Sequence, residues 1–161
     1  MTRPWFVVAA LAASAAFLPL TVGAQAPSDD APPPYRPSLA DLMSTTVQPR
    51  HVKLAFAGRE KNWAFAAYEL KQLADAFDKL SVQWPQWRRQ PIVELVETIA
   101  RDPLFELDNA IKNQNQAQYI IAYAHLTDAC NACHQAALQT PIVIQDPREA
   151  NFPDQDFRPK Q

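Results

Sequence analysis

From Ser38 onward, apolar side chains return at intervals of three and four, the period of a helix with one buried face. The clearest stripe is Trp63, Ala66, Leu70, Leu73, Phe77 and Leu80, while Glu60, Lys61, Lys71, Asp75, Asp78 and Lys79 fall largely off it. Before it, Ser38 opens a first helix, with Asp41 three residues on as a capping-box partner. This helix carries Leu39, Leu42 and Met43 and runs to about Ala57, with Gly58 as its expected stop. Pro49 lies inside it and should kink or break it. Ser81 to Gln90, with Pro85 and two tryptophans, reads as a loop. A third helix starts at Pro91, buries Ile92, Leu95, Val96 and Ile99, and continues through Leu104, Leu107 and Ile111. Asp102-Pro103 should kink or split it. After the polar link Asn113-Gln114-Asn115, a fourth helix runs from about Ala117 to Leu138. Its broad inner side holds Ile120, Tyr123, Ala124, Thr127, Cys130, Cys133, His134 and Ala137. The pattern predicts an all-α fold: an antiparallel four-helix bundle with kinked first and third helices and an extended C-terminal tail.

Composition narrows this further. Gly23 and Gly58 are the only two glycines. So few argue against Gly-rich phosphate loops, dinucleotide folds and a many-turned β-barrel. Ile142-Val143-Ile144 is the only β-like run, and it falls in the tail. The chain begins with Arg3, a nearly continuous apolar run from Trp5 to Leu20, and the small residues Val22-Gly23-Ala24. That order reads as a signal peptide over residues 1–24, cut after Ala24 for export to the periplasm. The run is short of the roughly 18 residues of a membrane span, so no stable membrane insertion is expected. Residues 25–37 form a Pro-rich leader, residues 38–139 the helical domain and residues 140–161 the tail. Without Arg3 the chain holds 14 basic and 17 acidic side chains, a formal charge of −3. That balance argues against nucleic acid as a partner.

The chemistry is concentrated in Cys130-Asn131-Ala132-Cys133-His134. This Cys-x-x-Cys-His order is the attachment pattern of c-type haem. Two thioethers would fix the porphyrin, and the adjacent imidazole would ligate the iron. Cys130 and Cys133 are the only cysteines, so no four-thiolate zinc or iron–sulfur site can form within the chain. Other readings of the pair are a local disulfide, a redox dithiol and a zinc site. A redox dithiol of the thioredoxin type wants a βαβ context, which is missing. For zinc, Cys133 and His134 point about 100° apart on a helix, awkward for one tetrahedral ion. A haem accepts that divergence, because its edge takes the thioethers and its iron takes the imidazole.

Four helices with this pentapeptide on the last one resemble the class II c-type cytochromes, the cytochrome c-prime group and its low-spin relatives. The resemblance spans Ser38 to Leu138. It implies one covalent haem c at Cys130 and Cys133, an axial bond from His134, and a far haem side facing the first helix. Leu42-Met43 through His51, Lys53-Leu54, Ala57-Gly58, Asn62-Trp63 and Tyr68-Glu69 also look like a group of small exported proteins of uncertain role. The chain departs from the class in its 22-residue tail and in Pro49, which interrupts the helix that should face the iron.

The sixth iron position is then the open question. Met43, the only methionine after the leader, is the favoured second axial ligand, and His51 is the less favoured one. An open iron with Met43 packed beside it is a further arrangement. If the first and fourth helices run antiparallel, Met43 and His134 lie at similar depth. His51 sits about 12 Å further along the axis, beside Leu126. His125, nine residues before His134, points to the opposite face of the same helix. A closed iron implies an electron carrier with a transient redox partner, and an open one implies a protein that binds nitric oxide or carbon monoxide. A haem-free bundle with a helix-embedded disulfide is the third reading. No triad or close carboxylate pair supports an enzyme. A homodimer through a helix face is compatible with the class.

Overall fold

A computed structural model describes residues 35–160. The expected signal peptide and most of the leader lie outside the described residues. Four helices dominate, with one two-stranded sheet among the described residues. Helix α1 covers residues 39–59, α2 spans Trp63–Gln83, α3 covers residues 92–112 and α4 spans Gln116–Ala136. Strands β1 (Gln86–Trp87) and β2 (Gln90–Pro91) form a short hairpin between α2 and α3. Helix α1 packs on α2, α3 on α2 and α4, and α4 also on α1. No helix among the described residues is long and apolar enough to cross a membrane.

Local chemistry accounts for the helix starts. Ser38 and Asp41 form the reciprocal capping box: Ser38 Oγ accepts from the Asp41 amide at 3.0 Å, and the Ser38 amide donates to Asp41 at 3.1 Å. Asn62 and Asn115 cap α2 and α4 by accepting from the amides of Phe65 and Gln118. The ends of α1, α3 and α4 follow one device. Lys61, Gln114 and Leu138 adopt left-handed backbone, with φ of 52°, 49° and 57°. Each is flanked by the paired back-bonds of a Schellman motif, such as Asn62 N–H to Ala57 O and Lys61 N–H to Gly58 O.

Both internal prolines are met by a wider turn. Helix α1 is α-helical over Leu39–Leu42, π-helical over Met43–Val47 and α-helical again over Gln48–Arg59. Helix α3 repeats this order, with its π turn at Val96–Ala100, just before Asp102-Pro103. Proline has no N–H to give to the carbonyl four residues earlier, so the ladder must change step there. In α1 the Gln48 N–H reaches back five residues to Met43 O. Ser44, Thr45 and Thr98 turn their hydroxyls onto carbonyls four residues back.

The core follows the expected stripe on α2, where Ala66, Leu70, Leu73, Phe77 and Leu80 are buried. Leu54, Leu107 and Leu126 join from the other helices. Three expectations are corrected. Gly58 does not end α1, which runs on to Arg59 and reverses at Lys61. Gly58 instead faces the ring of Tyr119, and any Cβ there would overlap that ring. The stretch from Ser81 is not all loop, because α2 continues to Gln83 and the hairpin follows. On α4, Ile120 and Ala124 are exposed, while Tyr119, Ala122, Tyr123, Leu126, Thr127 and Ala129 are buried. The buried face is turned because α4 must cover α3 as well as α1.

The tail makes no strand, and Ile142 and Val143 are exposed. It nevertheless packs with the helices in one compact unit. Phe157 is buried against Phe56 and Phe65, Asn62 donates to the carbonyls of Phe157 and Arg158, and Asp146 pairs with Arg59 at 2.7 Å.

Candidate functional site

The last turns of α4 carry Cys130, Cys133 and His134, all half-buried. Residues three apart share a helix face, so both thiols look into one space. That space is a cavity of about 380 Å³, within the roughly 300–1,000 Å³ of small-molecule sites. Its wall is mostly apolar, from Leu80, Ile92, Leu95, Val96, Leu126 and Ala129 among others. Met43 lines it from α1 and Ile142 and Ile144 from the tail. Both π turns border it, through Met43 and Val47 on one helix and Val96 and Ala100 on the other.

The two cysteines are free in the structure. Burial pushes the Cys130 thiol up to about 12, helped by the neighbouring Cys133, and burial pushes Cys133 up to about 11. Both are therefore neutral thiols at neutral pH, the reverse of the low-pKa thiolate a redox dithiol needs. Cys133 Sγ lies 3.8 Å from the Leu95 carbonyl.

His134 Nδ1 lies 3.1 Å from the Ile142 carbonyl. A carbonyl only accepts, so Nδ1 carries the proton and donates. In the neutral ring this leaves Nε2 as the nitrogen with a free lone pair, the one a metal ligand uses. No hydrogen bond to Nε2 occurs among the described residues.

His51 is 4% exposed, with both ring nitrogens occupied. Nε2 lies 2.9 Å from Thr127 Oγ1, and Nδ1 lies 3.0 Å from the Tyr123 hydroxyl. Thr127 spends its own proton on the Tyr123 carbonyl, so its oxygen accepts from His51 Nε2–H. Nδ1 is then the acceptor, and the single Tyr123 hydroxyl proton is shared between it and the His51 carbonyl at 2.9 Å. Burial holds the imidazole down to about 4 against a smaller opposing pull from Asp146, so it is neutral. His51 therefore touches the cavity wall as a structural hydrogen-bonding group.

The depth reckoning set His51 beside Leu126, and its partners are indeed Thr127 and Tyr123. His125 lies away from the cavity, with Nδ1 2.6 Å from Glu106 on α3. Among the described residues, no three His, Cys, Asp or Glu side chains converge to hold a bare metal ion. Cys130, Cys133 and His134 thus do not form a zinc-type cluster. A haem makes no such demand, since its porphyrin supplies four iron ligands. Two neutral thiols on one face, an imidazole with Nδ1 tied and Nε2 free, and an apolar cavity with a facing thioether suit that group.

Sequence reasoning missed several participants. Tyr123 and Thr127, four residues apart on α4, face His51 together, and that spacing was the available signal. Glu69 is 1% exposed and bonds Arg50 Nη1 through both carboxylate oxygens, at 3.0 and 3.3 Å. Asn131, inside the pentapeptide, bonds the backbone of Ile144 at two points. Neither pair has a short-range signature, because the partners are 19 and 13 residues apart.

No family model, curated protein or solved structure matches this chain.

Proposed function

We propose that this protein is an exported mono-haem c-type cytochrome that carries electrons in the bacterial periplasm, a carrier rather than an enzyme. One observation carries the reading: Cys130, Cys133, His134 and Met43 all border a single apolar cavity. Haem c, attached through Cys130 and Cys133, supplies reversible one-electron chemistry at its iron. His134 would hold the iron through Nε2, its Nδ1–H being directed to the Ile142 carbonyl. Met43 is the second axial candidate, and a thioether there favours the ferrous state and raises the reduction potential. His51 is the weaker candidate, since both of its nitrogens are engaged with α4.

In this reading the helices form an antiparallel bundle, kinked where Pro49 and Pro103 interrupt α1 and α3. Contact partners fall along α4 as they rise along α1, from His51 with Thr127 and Tyr123 to Leu54 with Tyr119. The apolar wall keeps water from the iron, and the half-buried motif leaves one edge open to a transient redox partner.

The test is the absorption spectrum of purified protein, expressed with haem-maturation machinery, oxidised and reduced, with and without carbon monoxide. A covalent haem with a low-spin, six-coordinate spectrum is the expected result. A five-coordinate iron that binds carbon monoxide rapidly transfers the function to gas binding. Colourless protein defeats both.

A further inference from the structure

The C-terminal tail bears on the same motif, and Asn131 is where it attaches. Asn131 Nδ2 donates to the Ile144 carbonyl at 2.9 Å, and the Ile144 amide donates back to Asn131 Oδ1 at 2.8 Å. This is a two-point clamp, the side-chain amide pairing with the backbone as a neighbouring strand would. Two residues earlier in the tail, the Ile142 carbonyl accepts from His134 Nδ1.

The two contacts are close together along both segments. Asn131 and His134 are three apart on a helix and share a face, about 4.5 Å apart along the axis. Ile142 and Ile144 are two apart in the tail, so the two contacts are separated by a single residue there. Holding the Ile144 peptide therefore restrains the Ile142 carbonyl, with one residue between them. The chain reaches this position by a defined reversal: Leu138 is left-handed, Gln139 N–H bonds His134 O, and Ile142 N–H bonds Gln139 O.

We infer that Asn131 is a positioning residue, which clamps the tail at Ile144 so that the Ile142 carbonyl orients the His134 imidazole and holds its Nδ1–H tautomer. The inference rests on the proposed function for its redox consequence, but not for the geometry. An imidazole that donates from Nδ1 is a stronger donor through Nε2 and favours ferric iron. Releasing the clamp weakens that donation.

The test uses holoprotein and three variants. In Asn131→Ala, hydrogen exchange at the Ile144 amide should speed by at least about tenfold, and the ferrous-to-ferric ratio at a fixed poise should rise roughly threefold or more. Asn131→Asp keeps the acceptor for the Ile144 amide and should fall between the alanine variant and wild type. Phe157→Ala loosens the tail far from the motif and should leave the ratio unchanged. A ratio unchanged in Asn131→Ala, or moved equally by Phe157→Ala, overturns the positioning role. If the isolated protein carries no haem, the proposed function fails and the inference is judged on the haem-free chain. Nitrogen NMR must then show the Nδ1–H form of His134 in wild type and its loss in Asn131→Ala; an unchanged tautomer overturns it.

Discussion

At one end of the seam between α1 and α4, His51, Tyr123 and Thr127 close on each other with every ring nitrogen and hydroxyl paired. The two helices come so near there that only a glycine fits, Gly58 against the Tyr119 ring. At the other end, Met43 and Cys130 border a cavity of about 380 Å³ with a mostly apolar wall. One pair of helices thus holds both a tight polar lock and an open apolar chamber. The lock sets the spacing and direction of the helices, so the chamber does not have to fill itself to persist. Stability and ligand capacity are assigned to different turns of the same elements.

Mutations at the two ends should therefore differ in kind. The largest effect belongs to the lock. Leu54 is fully buried there, and Leu54→Ala should cost about 4 kcal/mol in chemical denaturation, by transfer loss plus a new cavity. An equal loss on truncating a residue of the chamber wall such as Leu95 would erase the distinction.

Acid comes next. His51 is held near 4 in the fold against 6.5 in the open chain, so the unfolded state takes up a proton first. Its contribution is intact above pH 6.5 and is lost as pH falls from 6.5 towards 4, by roughly 3 kcal/mol in all. Urea midpoints across that range should show the loss, and His51→Gln should flatten the slope.

A smaller stability effect falls on the chamber. Met43 is only half-buried in the chamber wall, so Met43→Ala should cost only about 1 kcal/mol. Under the proposed function its main consequence is spectral: the variant should lose a low-spin spectrum, and a spectrum left unchanged removes Met43 as the second axial candidate. The smallest expected effect is a gain. Leu138, 72% exposed and left-handed at φ 57°, turns the chain out of α4. Leu138→Gly should stabilise by roughly 0.5–1 kcal/mol in thermal unfolding, by relieving the Cβ clash of that conformation.

Much of the helical frame was legible beforehand because helical periodicity is local. The stripe from Ala66 to Leu80, the capping box at Ser38 and the caps near Asn62 and Asn115 all rest on neighbours within a few residues. The pentapeptide stood out because its residues carry their chemistry in their identity, and the structure sets Met43 on the same cavity. What escaped depends on packing between distant segments. Ile120 was assigned inward from its spacing, but spacing does not say which neighbour α4 must cover, and Ile120 is 61% exposed. Gly58 was read as a stop because glycine commonly ends helices, whereas its use is to admit Tyr119. The tail gave no periodic signal, and its contacts to Asn131 and His134 emerge only once the chain has turned at Leu138.

The π turn ahead of Pro49 fixes an azimuth as well as satisfying a proline. A turn closed over five residues instead of four carries one extra residue, which slips the helical phase of what precedes it by about 100°. Met43 stands at the start of that slip, so the missing N–H of Pro49 helps to decide which compass direction the thioether faces. Shifting the proline by one position would re-aim the methionine, and with it one side of the chamber.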